Sequence, residues 1–125
     1  MNNFILNCND HKNVFELYPS ENFDSFRLVV ANSNFSGSST SYFEADIKKF
    51  FKDLEILINS KEIKSVEIFD TESDDSVKFN KLDLLGHYSV SVKIGGSHRS
   101  SYAKISFDFD QTAFIGSLID IKQYA

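Results

Sequence analysis

Apolar and polar residues alternate in several short stretches of the chain, and this period of two is typical of strands with one face on a core. The clearest case is the pair Tyr88–Ile94 and Ala103–Phe109, which flanks a short polar connection. It predicts an antiparallel hairpin with one face in water. Phe26–Ala31 alternates in the same way and predicts another strand.

Two regions near the N-terminus carry a weaker strand signal. Phe4–Cys8 and Val14–Tyr18 flank a turn-prone stretch of Asn, Asp and His, which predicts a hairpin. The small, polar segment Phe35–Tyr42 suits an edge strand or a flexible loop equally well, and we take it as a strand.

Ile63–Phe69 and Val77–Leu84 also have the pattern of strands. The apolar positions of the second change faces part-way, which predicts a bulge near Asn80 and Lys81. Between the two strands lies a loop, residues 70–76, with four carboxylates. This composition predicts that the loop stays outside the core.

The apolar spacing changes to three and four between Phe43 and Ser60, which predicts an amphipathic helix. Glu44 and Asp46 fall in its expected first turn, where the helix dipole favours carboxylates. Helical spacing returns from Phe114 to Lys122, after Asp110 as a natural N-cap.

This order of elements predicts an α+β fold: a twisted antiparallel sheet of about six or seven strands with two amphipathic helices packed on one face. A chain of 125 residues is the usual size of one domain, so we expect residues 1–125 to form a single unit. Its predicted core is drawn from the helices and the C-terminal hairpin and comprises Phe50, Phe51, Leu54, Leu57, Val90, Val92, Ile105, Phe107, Phe114 and Leu118.

A net charge of −5 opposes a role in nucleic-acid binding, because affinity for phosphates comes from clustered Lys and Arg. The first residues lack a basic stretch followed by a long apolar run, so neither a signal peptide nor a membrane span is expected. The single cysteine, Cys8, cannot form an internal disulfide, which favours the reducing cytoplasm. Richness in Lys, Asn, Ile and Phe fits an A/T-rich, bacterial gene.

No complete catalytic or metal-binding pattern appears. Cys8, Asp10 and His11 are too close in an extended segment to form a triad, and no second ligand pair completes a zinc site. His87 has no nucleophile motif nearby, so we interpret it as a packed or capping residue, and Gly95-Gly96 as a hairpin turn. We therefore expect no enzymatic activity, catalytic residue, metal or cofactor.

The acidic loop is the one segment with a candidate binding role. Asp70, Glu72, Asp74 and Asp75 lack the glycine and bidentate glutamate of a calcium loop, so either a solvated surface or a partner contact explains them. The segment Glu62–Leu84 holds seven of the eighteen carboxylates, whereas the last forty residues are slightly basic. Such polarity favours steering toward a basic partner. If so, neutralising the four carboxylates slows association and leaves thermal stability nearly intact.

Three segments carry a family resemblance: the Phe-rich helix at Asp46–Leu54, the strand Gly86–Val92, and Phe107–Thr112 entering the last helix. From about Phe26 to the C-terminus the chain resembles the WapI-type immunity proteins, small bacterial proteins of polymorphic toxin systems. The motifs are mostly structural, and no binding residues carry over from the family.

The resemblance implies a non-enzymatic protein that binds a cognate, basic toxin domain and neutralises it by occlusion, with no nucleic acid or membrane as partner. A small-molecule-binding or regulatory α+β domain, with its ligand between sheet and helices, is the alternative. The neighbouring gene discriminates between them, since a toxin gene immediately upstream favours immunity and a metabolic operon favours ligand binding.

Overall fold

The computed structural model describes residues 3–8, 12–22, 24–43, 46–70, 73–95, 102–115 and 117. These ranges form strands, one α-helix and a 3-10 turn at Gln111–Phe114. In chain order the elements are β1 (Phe4–Ile5), β2 (Val14–Pro19), β3 (Phe26–Ala31), β4 (Ser36–Ser41), α1 (Ile47–Asn59), β5 (Ser65–Phe69), β6 (Ser76–Lys81), β7 (His87–Ile94) and β8 (Ala103–Asp110).

The strands form two antiparallel sheets, so the prediction of a single sheet of six or seven strands is wrong. Sheet A contains β1 to β4 and sheet B contains β5 to β8, each in sequence order. The physical reason is that the two sheets bury their apolar faces against each other, with Phe15 of sheet A on Phe79 of sheet B, so β4 and β5 do not pair edge to edge. Every predicted strand is present, including β4 at the edge.

The predicted C-terminal helix is also wrong within the described residues. Asp110 is the expected N-cap, and its carboxylate accepts a hydrogen bond from the Thr112 N–H at 2.9 Å. The turn then ends at Ile115, whose backbone is extended. One 3-10 turn is enough to bury Ala113 and Phe114, whereas Leu118 lies outside the described residues.

The core lies between the inner faces of the two sheets and extends to α1. The rings of Phe15 in sheet A and Phe79 in sheet B are 5.4 Å apart. From α1, Phe51 packs on Phe4 at 5.2 Å and Phe50 on Phe79 at 6.0 Å, so the helix joins both sheets. The predicted core is confirmed for Phe50, Phe51, Leu54, Leu57, Val90, Val92, Ile105, Phe107 and Phe114, all of which are buried.

The bulge predicted in the second strand of sheet B is absent. β6 and β7 pair without interruption from Ser76 opposite Lys93 to Lys81 opposite Tyr88. The apolar residues that follow change faces because the strand has ended, and Leu84 is exposed in the turn to β7.

A buried lysine fixes the end of α1. Lys81 is 6% exposed, and its ammonium group donates hydrogen bonds to the carbonyl oxygens of Leu57, at 3.1 Å, and Ser60. These carbonyls belong to the last turn, where unpaired acceptors and the helix dipole attract a cation. At the other end α1 begins at Ile47, four residues after its predicted start at Phe43. Asp46 is therefore the N-cap and not a first-turn residue as predicted, and Glu44 lies outside the described residues.

At β4, sheet A lies directly against sheet B. The inner side of β4 carries only small residues, Gly37, Ser39 and Ser41. A β-carbon at Gly37 would collide with Cδ1 of Ile94, so any larger residue here requires the Ile94 side chain to shift. No helix in the described part of the chain has the length and hydrophobicity to cross a membrane.

Candidate functional site

The acidic loop between β5 and β6 is partly internal, which corrects its predicted exclusion from the core. Asp75 is only 1% exposed. One carboxylate oxygen accepts hydrogen bonds from the hydroxyls of Ser39 at 2.7 Å and Ser41 at 2.8 Å, and the other accepts from the Gly95 N–H at 3.0 Å. The carboxylate therefore connects β4 of sheet A to one end of the β6–β7 pair of sheet B, where β6 begins and β7 ends.

Asp70 makes a second connection to sheet A. It is 6% exposed, and its carboxylate accepts hydrogen bonds from the Tyr42 N–H at 2.9 Å and the Ser73 hydroxyl at 2.9 Å. A buried carboxylate is stable in a protein only when such donors replace its water. Asp70 and Asp75 are thus placed to hold the sheets together rather than to contact a partner.

The other two residues of the predicted partner site lie apart from these. Asp74 is exposed, and Glu72 lies outside the described residues. The structure therefore brings Asp70 and Asp75 together in the interior. Of the predicted partner-binding residues that the structure describes, Asp74 is the one on the surface.

His87 is exposed, and it is neither packed in the core nor isolated. Its Nδ1 lies 2.6 Å from a carboxylate oxygen of Asp83, whose other oxygen accepts from the backbone N–H groups of Leu85 and His87. The hydrogen bond to Asp83 raises the pKa of His87, and the same bond lowers the pKa of Asp83. The pair favours a charged His87 next to a charged Asp83.

The outer face of sheet B is a broad and mostly polar surface. Its side chains point away from the core, and none of them is buried. The strand register places them in rows across the sheet: Phe69, Ser76, Lys93, Lys104; then Glu67, Lys78, Ser91, Ser106; then Ser65, Asn80, Ser89, Asp108; then Leu82, His87, Asp110.

A groove of about 420 Å³ occupies the end of this face nearest the first row. Three lysines line it, Lys78, Lys93 and Lys104, together with Phe69 and one carboxylate, Glu67, so its charged lining residues sum to a formal charge of +2. We call this the lysine groove. It is basic although the protein as a whole carries a net charge of −5.

The lysines are placed against the usual rule for strand pairs. Lys93 and Lys104 lie directly opposite each other on β7 and β8, and like charges in that position destabilise a sheet. Among the described residues, none of the three groove lysines forms an ion pair. Lys93 instead sits over the ring of Tyr102, with 4.4 Å from its nitrogen to the ring centre.

The opposite end of the same face is acidic. Asp108 and Asp110 follow each other on the outer side of β8, and Asp83 lies in the adjoining turn. Hydrogen bonds from Thr112 lower the pKa of Asp110, which keeps this carboxylate ionised. The outer face of sheet B therefore has a basic end and an acidic end.

A second groove, of about 300 Å³, runs between α1 and β5. Its lining mixes apolar Ile56, Leu57 and Val66 with charged Asp53 and Glu67. It corresponds to the cleft that the small-molecule alternative requires between sheet and helix.

Other predicted features stay separate. Cys8 is half-buried, whereas Asp10 and His11 lie outside the described residues. No three His, Cys, Asp or Glu side chains of the described ranges are grouped so as to hold a metal ion. Gly95 has a φ of 81°, as the turn interpretation requires, and Gly96 lies outside the described residues.

The sequence predicted that one face of the β7–β8 hairpin is exposed to solvent, but it did not predict the lysine groove on that face. The missing information was register, because the alternation in β6, β7 and β8 does not say which lysine stands opposite which. The pairing of Lys93 with Lys104 could have been predicted from the sequence. In an antiparallel hairpin, residues at equal distances from the middle of the connecting loop stand opposite each other.

Comparison with known proteins finds no match to this chain among family models, curated sequences or solved structures. The resemblance to WapI-type immunity proteins therefore stays a prediction.

Proposed function

We propose that this protein is a non-enzymatic, immunity-type binding protein that neutralises a bacterial toxin domain by occlusion, with the outer face of sheet B as its docking surface. The observation that carries the proposal is the charge-polarised face with its lysine groove. It combines exposed aromatic rings, hydroxyls and charges of both signs on one rigid sheet.

The face has properties that suit a protein partner. Interfaces combine aromatic anchors with polar groups that can exchange water for partner contacts, and Phe69 and Tyr102 are 59% and 57% exposed here. Ser91 and Ser106 lie between the charged ends, and their hydroxyl oxygens are 2.8 Å apart. Such small side chains let another backbone approach closely.

Charge polarity supplies discrimination. A partner with acidic groups over the lysine groove and basic groups over Asp108 and Asp110 fits in one orientation only, because the reverse places like charges together. This revises the simple picture of an acidic protein on a uniformly basic toxin. The basic part of the partner meets only the acidic end of the face.

Inhibition by this route requires no chemistry from the protein. A domain seated on a toxin excludes substrate by volume, and its effectiveness depends on affinity and on a slow dissociation rate. His87 and Asp83 then act as charged contacts at the rim rather than as a base and its orienting carboxylate.

The proposal is tested by co-expression with the toxin domain encoded by the gene immediately upstream. Protection of growth and an equimolar complex in size-exclusion chromatography are expected. Ser106→Tyr adds bulk in the middle of the docking face and should abolish protection, whereas Ser38→Tyr adds the same bulk on the outer side of β4 and should not. An upstream toxin that kills cells despite co-expression would overturn the proposal.

A second candidate, small-molecule binding, is favoured by the groove between α1 and β5. Its volume of about 300 Å³ reaches the lower end of the range for ligand sites. This candidate would be favoured if the gene lies in a metabolic operon and the protein does not protect cells from the toxin domain. Ile56→Lys, which places a charge in that groove, should then remove ligand binding and leave the outer face of sheet B intact.

A further inference from the structure

We infer, building on the proposed function, that the partner inserts an acidic segment into the lysine groove, so that its carboxylates reach Lys78, Lys93 and Lys104. The three lysines line one groove with a single carboxylate, Glu67, and form no ion pair within the described part of the chain. A carboxylate-bearing ligand supplies the missing negative charge.

Folding alone does not account for this arrangement. Lys93 and Lys104 stand opposite each other, and Lys78 is diagonal to Lys93 because Ser76 occupies the position directly across. Clustered like charges destabilise a sheet, and sites that break a folding rule in this way are commonly the functional ones. Glu67, opposite Lys78, is the one carboxylate that the register places nearby.

Phe69 in the groove and Tyr102 beside Lys93 are aromatic residues that suit a polypeptide ligand. Phe69 forms part of the groove wall, and Tyr102 holds the ammonium group of Lys93 at 4.4 Å from its ring centre. The methylene groups of Glu or Asp side chains can pack on these rings while the carboxylates contact the lysines. A volume of about 420 Å³ accommodates a few such side chains.

The same face disfavours a nucleic acid. A strand of phosphates that follows the sheet would leave the groove and meet Asp108, Asp110 and Asp83. The groove also lacks arginine among its lining residues, although arginine is the side chain best shaped for bidentate phosphate contacts. A short acidic peptide segment avoids both problems.

The first test uses the isolated protein and a hexaglutamate peptide, followed by amide chemical shifts in two-dimensional NMR. Shifts should concentrate on β6, β7 and β8 next to the lysines and vanish in the triple variant Lys78→Gln, Lys93→Gln, Lys104→Gln. Pyrophosphate serves as the competing probe. Tighter binding of pyrophosphate than of the peptide would overturn the peptide assignment in favour of a phosphate ligand.

The second test uses the toxin complex and a matched control. The triple variant Lys48→Gln, Lys49→Gln, Lys52→Gln removes the same charge from exposed positions of α1. The groove variant should weaken toxin binding about tenfold or more, because three ion pairs are lost together, whereas the control should change it less than about twofold. Equal losses in the two variants, or none in either, would overturn the inference.

The two proposals can fail separately. If the toxin is neutralised equally well by the wild-type protein and the groove variant, the docking of an acidic segment is wrong and the proposed function stands. If the wild-type protein binds hexaglutamate through the three lysines but fails to neutralise the toxin, the proposed function is wrong. A thermal melt of both variants checks folding, and the groove variant should melt no lower than the control.

Discussion

Replacement of Asp75 by Ala should destabilise the protein strongly, although the residue lies in a loop with the composition of a solvated surface. The carboxylate is buried and accepts hydrogen bonds from Ser39, Ser41 and the Gly95 N–H. Hydrogen bonds to a charged group contribute about 1.5–3 kcal/mol each, and such contributions are not additive. We therefore expect a loss of about 3–5 kcal/mol, which is a large part of the stability of an ordinary domain.

The substitution Asp75→Asn removes the negative charge but keeps nearly the same side-chain shape, so it measures the contribution of the charge. The amide has one oxygen, which can accept either from the two serine hydroxyls or from the Gly95 N–H. In each orientation its NH₂ group faces the donors that are left. The expected loss is about 1–3 kcal/mol, since neutral hydrogen bonds contribute less and one donor loses its acceptor.

The measurement is urea denaturation followed by far-ultraviolet circular dichroism, because the chain contains no tryptophan. The control is Asp74→Ala, an exposed neighbour whose replacement should change the free energy of unfolding by less than about 0.5 kcal/mol. A double-mutant cycle between Asp75→Ala and Ser41→Ala should show coupling. A loss below about 1 kcal/mol for Asp75→Ala would refute the reasoning, and it would restore the view that the loop is only a solvated surface.

Three further predictions concern other parts of the fold. Lys104→Glu should raise the free energy of unfolding by about 0.2–1 kcal/mol, because it replaces a like-charge cross-strand pair by an opposite one, and a lowered melting temperature would contradict this. In an NMR titration, the pKa of His87 should lie above its ordinary 6.5 and return toward that value in Asp83→Asn. The contribution of this pair to stability should be complete between pH 3.8 and 6.5; it should be lost as the pH rises through the raised pKa of His87, or falls through the lowered pKa of Asp83. Gly37→Val should destabilise by about 1–3 kcal/mol through overpacking, and the added change Ile94→Val should recover part of the loss by removing the colliding methyl group; no recovery would place the strain elsewhere.

Local patterns predicted the elements of this fold well. The alternation of apolar residues in β3, β7 and β8 reports burial on one face, and that burial is the same whichever sheet the strand joins. The helical spacing of α1 likewise survives because its apolar stripe fills the space beside β5. Spacing was insufficient at Phe114, since one turn of 3-10 helix also places neighbouring apolar residues on one side.

The partition into two sheets depends on contacts that are distant in sequence. The small residues on the inner side of β4, Gly37, Ser39 and Ser41, resemble a weak strand in the sequence. In the structure, Ser39 and Ser41 donate hydrogen bonds to Asp75, and Gly37 leaves room for Ile94. These partners are distant in sequence, so the pattern of β4 alone does not predict them. For the same reason, composition alone assigned Asp70 and Asp75 to the surface, because it contains no information about the donors that replace their water.

The order of the strands has a consequence for how the chain folds. Each described ladder joins strands that are neighbours in sequence, so either sheet can form by closing short loops only. The two halves are then joined by a backbone hydrogen bond from the Asn7 N–H to the Ala113 carbonyl oxygen and by side-chain contacts, among them the buried carboxylate of Asp75 at the β4 edge. In native-state hydrogen exchange the amides of β4 should open at lower free energy than those of β7, and a variant of Asp75 should widen that gap by loosening one half of the molecule from the other before either sheet melts.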